Sequence, residues 1–156
     1  MTELLALYAV VEAPPDRVAE VLLDVRPGGR SPLAPDGEVP GTDSEATGTD
    51  GEVTGTDGDR DTFEVVRDGS RMTVTVDRGR REVALQGEWW YRGVTSVEPH
   101  PLGSRVIHRI FNVAQGNGWA VRFVARGPLN AAPRSFADVV RRIGEQLGVP
   151  ARVVDN

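Results

Sequence analysis

From Thr62 to Val113 apolar and polar residues trade places with a period of two, and this alternation restricts the fold more than any other feature of the chain. Period two is the repeat of a strand whose two faces meet different surroundings. Phe63 and Val65 alternate with polar neighbours up to Asp68-Gly69, a dipeptide suited to a tight hairpin turn. Met72, Val74 and Val76 alternate with Arg71, Thr73, Thr75 and Asp77, and Asp77-Arg78-Gly79 makes a second turn. Val83 and Leu85 keep the inward parity, and residues 87–99 (GEWWYRGVTSVEP) follow as a further run. Pro99-His100-Pro101-Leu102-Gly103 turns the chain into a last run, Ser104 to Val113. Consecutive runs joined by hairpins make an antiparallel sheet, one face of which can meet water.

Helical patterns flank this sheet. Residues 3–11 (ELLALYAVV) are a nearly continuous apolar run of strand length. In residues 14–25 (PPDRVAEVLLDV), Val18, Val21, Leu22 and Val25 fall at i, i+3, i+4 and i+7, one face of a helix. Its two prolines stand at the start, where a missing amide donor costs little, and Pro27-Gly28-Gly29 ends it. Residues 117–126 (NGWAVRFVAR) fit either periodicity; the reading adopted is a short helix broken by Gly127-Pro128. From Ser135 to Leu147 the pattern is again helical, with Phe136, Val139, Val140, Ile143 and Leu147 on one face and Gly148 and Pro150 as the stop.

Between the first helix and the sheet, residues 28–61 form an acidic, low-complexity insertion in what is otherwise one domain spanning 1–156. Residues 31–59 hold eight acids and no base; without them the remaining 15 acids face 18 Arg, so a net charge of −5 hides a body of +3. That excess is too small to argue for nucleic acid. Residues 41–61 repeat with a period of seven (GTDSEAT, GTDGEVT, GTDGDRD), but the units are too poor in apolar residues for a coiled-coil seam. Asp57, Asp59 and Asp61 are spaced like the start of a calcium loop, yet the twelfth position is Asp68 where a Glu is needed and the sixth is Thr62 where a Gly is needed. A flexible, solvated loop is therefore expected. There is no Cys, which excludes disulfides and thiolate metal sites and suits a reducing cytoplasm. The first residues lack the basic region of a signal peptide, and no apolar stretch approaches the ~20 residues that cross a membrane. Every basic residue apart from two His is Arg, which GC-rich coding explains more simply than selection for anion contacts.

The strand-to-helix opening VVEAPPDRVAEVLLDV, and GEWWYRGVTSVEPHPLGSRVIHRIFNV followed by a terminal helix, resemble the START/SRPBCC superfamily. This is the helix-grip group of pollen-allergen-like proteins, polyketide cyclases and lipid-transfer domains. The resemblance covers most of the chain and leaves out the acidic repeat. It implies an α+β helix-grip fold, a curved antiparallel sheet wrapped around a long C-terminal helix, with any ligand held between the two. Many members carry a Trp-rich stretch after the first helix; here the acidic repeat takes its place.

Candidate residues follow from the same patterns. Parity from Val83 and Leu85 turns Trp89 and Tyr91 inward and Trp90 and Arg92 outward. His108 shares a strand face with Val106, Ile110 and Asn112 and is the one plausible imidazole base, since His100 lies in the PHPLG turn. Trp89, Tyr91, His108, Trp119 and Phe123 are the expected pocket lining, large apolar surfaces with few polar handles. Arg122 is expected at the mouth, together with Arg109, where a guanidinium could hold a carboxylate; Asn112 and Asn117 are weaker candidates for orienting a ligand. Two His and no Cys leave zinc without ligands, and no phosphate-binding Gly-rich motif is present, so no cofactor is expected. The expected function is binding of a small hydrophobic or amphipathic molecule. An alternative is a polyketide cyclase/dehydratase-type enzyme using His108 or Tyr91 as acid or base; a further one is a protein-interaction module built on Trp90 and the acidic segment.

Overall fold

A computed structural model describes residues 1–34, 38–39, 55–116 and 118–156, with only the backbone described at 55–57. Strand β1 (Thr2–Val11) runs into helix α1 (Pro15–Leu23), whose prolines sit at its first turn as the sequence requires. Strands β2 (Gly55–Asp57), β3 (Arg60–Arg67), β4 (Ser70–Asp77), β5 (Glu82–Gly87), β6 (Tyr91–His100) and β7 (Gly103–Asn112) follow. Helices α2 (Gly118–Val124) and α3 (Arg126–Leu147) come next, then strand β8 (Ala151–Val154). All strands pair antiparallel in one sheet of order β2-β3-β4-β5-β6-β7-β1-β8.

The hairpins that shape this sheet are set by local chemistry. Asp68 and Gly69 both take positive φ (51° and 78°), the left-handed pair of a two-residue turn between Arg67 and Ser70. At the β6–β7 turn Gly103 has φ 136°, and a Cβ there would lie 2.7 Å from both the amide nitrogen and the carbonyl oxygen of Ala13. The Oγ of buried Ser104 donates to that same carbonyl at 2.6 Å, so the turn is pinned against the β1–α1 junction.

The three helices cover the same sheet face. Its residues are Leu5, Leu7, Ala9 and Val11 of β1, Val106, His108 and Ile110 of β7, and Tyr91, Gly93, Thr95 and Val97 of β6, matched across the strands. The buried apolar residues on it form three groups. The first joins α1 and the second half of α3 (Phe136, Val140, Ile143) to Ala9, Val11, Val97 and Val106. The second lies over β3–β5 and includes Phe63, Val74, Val76 and Val83 under Ala34 and Val39. The third gathers Trp90 and Ile110 with Val121, Ala125 and Ala132 of the helical end.

Four expectations change. The final helix begins at Arg126, nine residues before Ser135; Gly127 and Pro128 fall in its first turn, where an absent amide loses no hydrogen bond, and so do not break it. Leu129 N–H donates to the Ala125 carbonyl at 2.9 Å, so α2 and α3 meet at a single turn residue. Beyond Gly148, which caps α3 with φ 67°, the chain adds β8 to the free edge of β1. The insertion is not loop throughout. Val39 exchanges backbone hydrogen bonds with Gly28 and Gly29, Ala34 and Val39 are buried, and the third heptad unit builds β2 and the start of β3. The first two repeat units, residues 41–54, lie outside the described residues.

Candidate functional site

Where the three apolar groups meet, the sheet carries polar atoms. His108 on β7 stands opposite Thr95 on β6, and its Nδ1 is 2.9 Å from the Thr95 hydroxyl. The imidazole stacks on Phe136 of α3, with ring centroids 6.1 Å apart and planes 21° from parallel. One pair of positions along, Gly93 faces Ile110, and the ring of Tyr91 lies over this glycine: a Cβ at 93 would be 2.5 Å from the phenol oxygen. Trp90 meets the Tyr91 ring edge-on at 5.5 Å.

The electrostatics of this zone are those of an apolar interior. Burial lowers the pKa of His108 to about 4 and raises that of Tyr91, because each charged form would lose its hydration. Both groups are therefore neutral at pH 7. No described side-chain nitrogen or oxygen is sealed away without a hydrogen-bond partner. The described partner of His108 is Thr95, at Nδ1, so Nε2 opens onto space that solvent can reach. His108, Tyr91, Leu5, Leu7 and Leu85 all point to this side of the sheet and are only half-buried.

The remaining expected site residues lie elsewhere. Trp89 is 46% exposed and does not face inward: it sits in the turn between β5 and β6, because Leu85 pairs with Gly93 and Gln86 with Arg92. Trp90, expected outside, is the buried one of the pair, at 8% exposure. Trp119 and Phe123 are 66% and 62% exposed on the outer side of α2, whose inner side is Val121. Arg122 is exposed on the same helix. Arg109 is on the opposite sheet face, with Nε 3.5 Å from Glu3, so it does not stand at the mouth. Asn112 uses its Oδ1 to accept the Ala114 amide at 2.9 Å, and Asn117 lies outside the described residues. Asp61, from the calcium-like triplet, pairs with Arg78, and no cluster of metal-ligating side chains occurs among the described residues. Phe136, Thr95 and Gly93 were missed. Gly93 and Thr95 lie on the inward parity of their strand and Phe136 on the apolar face of its helix, so periodicity could have placed all three.

Comparison with solved structures identifies the fold. The chain is similar to the 18 kDa protein CC1736 from Caulobacter crescentus, with a TM-score of 0.52 and 17% identity over 93% of this chain and 99% of that one. This chain has the helix-grip fold. TTHA0849 from Thermus thermophilus aligns with a TM-score of 0.47 and 16% identity over 90% of this chain and 95% of that one. Ara h 8.0201 aligns with 0.45 and 14% over 89% and 97%. No protein-family model and no curated protein sequence matches the chain.

Within the helix-grip framework the His108 zone lies between sheet and α3. A depression of about 710 Å³ lies along α3 and β8 and is lined by Val140, Gly144, Pro150 and Val153 among others. It is an open surface groove whose lining does not include His108. The inner zone offers neutral hydrogen-bonding atoms set in an apolar wall. An imidazole of pKa about 4 without a carboxylate partner is a weak base at neutral pH. The arrangement is better suited to holding a molecule than to moving its protons.

Proposed function

We propose that the chain binds a small hydrophobic or amphipathic molecule between the sheet and α3. One observation carries this reading: on the helix-covered face, His108 is desolvated, yet it is not fully buried and its Nε2 has no described partner. A solid core would have sealed that atom or given it a partner. The apolar body of the ligand lies among Leu5, Leu7, Leu85 and Phe136, and its polar end reaches Nε2 of His108 and the Tyr91 phenol. Trp90 closes the end of the pocket at α2. Uncharged polar groups in an apolar wall favour a ligand whose polar end is also uncharged.

Native mass spectrometry of freshly purified protein, compared with the denatured mass, tests this reading. A discrete mass lost on denaturation supports it. A clean apo mass is followed by titration with an apolar fluorescent probe, in the native chain and in Leu7→Trp, whose indole would fill the pocket. Probe uptake by the native chain that Leu7→Trp abolishes supports the reading; no uptake, or equal uptake by both, refutes it.

A further inference from the structure

Helix α2 packs only one side against the body. Val121 is 2% exposed and joins Trp90 and Ala125, whereas Trp119 and Phe123, one turn apart, project outward at 66% and 62% exposure. Their rings touch edge-to-face at 6.5 Å, and Val124 beside them is 45% exposed. Large apolar side chains concentrated on one exposed turn mark a surface that meets something other than water.

The charges around the patch say what that is. From Phe111 to Ala137 the sequence holds three Arg and no Asp or Glu, in a chain whose net charge is −5. Arg122 directly precedes Phe123 in the chain, Arg126 places its guanidinium 5.6 Å from the Phe123 ring centre, and Arg134 follows two turns on. All three are exposed, and among the described residues none has a carboxylate partner. Trp and Phe beside Arg is the composition that settles at a bilayer boundary, rings among the acyl chains and guanidinium groups on the phosphates. A negatively charged protein is repelled by an anionic bilayer unless a basic end leads.

We infer that the α2 face, Trp119, Phe123 and Val124 with Arg122 and Arg126, docks on an anionic lipid surface. The occupant is the bilayer itself, with the rings inserted to the depth of the headgroup–acyl boundary. This face adjoins Trp90 and the end of the inner zone. The docking does not depend on that zone being filled and is tested without any added ligand.

The test is co-sedimentation of the intact chain with vesicles of phosphatidylcholine alone and of phosphatidylcholine with phosphatidylglycerol. Binding is expected only where phosphatidylglycerol is present, and it falls at high salt. Arg122→Gln and Arg126→Gln each weaken it by about fivefold. The pair Trp119→Ser with Phe123→Ser weakens it by about tenfold or more. Trp119→Phe retains most of the binding but removes most of the blue shift in tryptophan emission. These side chains are exposed, so the variants melt like the parent. The inference is overturned if the parent binds neither vesicle, or if binding survives the double substitution. It is also overturned if sedimentation velocity shows a dimer that the double substitution dissociates, because a second copy then covers the face.

Discussion

Tyr91 lies flat over its own strand because residue 93 has no side chain. In Gly93→Ala the new methyl would sit 2.5 Å from the phenol oxygen, but the obstacle is the tip of a movable side chain, so the ring swings away and the fold tolerates it. Stability should change by less than about 1 kcal/mol, while apolar-probe affinity falls by about fivefold as the phenol leaves the site; a melt and a titration on the same sample check both. His108 provides a pH signature. Its pKa drops from the ordinary 6.5 to about 4 on folding, so between those values the unfolded chain binds the extra proton and the native state loses stability as pH falls. His108→Gln should remove up to roughly 3 kcal/mol of that loss, seen as a flatter plot of denaturant midpoint against pH from 7 to 4 than in the parent. The inward parity of His108 and Tyr91 was legible because the alternation holds along their strands. That of Trp89 was not: Glu88-Trp89-Trp90 makes the hairpin turn without a Gly, Pro or Asn to announce it.

The elements were readable where one pattern ruled and misread where two overlapped. Strand β4 follows strict alternation, and β3 and β7 are bounded by recognised turns. The start of α3 was hidden because Gly127-Pro128 reads as a break in sequence, whereas at a helix start proline is tolerated and the neighbouring helix α2 supplies the entry. Strand β8 has four residues, too few for a period to register, and it forms only because β1 offers a free edge. Gly144 shows how closely helix and strand meet: a Cβ there would lie 2.9 Å from that of Ala151. Removing residues 151–156 should cost about 2–4 kcal/mol through the lost ladder, measured as a lower denaturant midpoint with a single transition. Gly103→Ala puts its methyl against backbone atoms that cannot move aside, at a φ that favours glycine. It should cost about 3 kcal/mol, far more than Gly93→Ala in the same melting experiment.

Across the whole molecule, the acidic segment divides into parts with different roles. Residues 41–54 carry two apolar side chains larger than glycine, Ala46 and Val53, and four acids. Deleting them should raise the net charge to −1 and leave the melting temperature within about 3 °C of the parent. Extending the deletion through residue 39 uncovers Phe63 and Val76 and should lower it by more than twice that; calorimetry on the two deletions separates the cases. The sheet order has a further consequence, for synthesis. Residues 2–11 leave the ribosome before both of their partners, residues 104–112 and 151–154. An apolar strand with two unpaired edges must therefore wait while about ninety residues are added before its first partner is made, and about forty more before its second. Strands β7, β1 and β8 lie side by side although far apart in sequence, so shielding of the nascent β1 edges, more than the speed of any hairpin, is expected to limit the yield of folded protein.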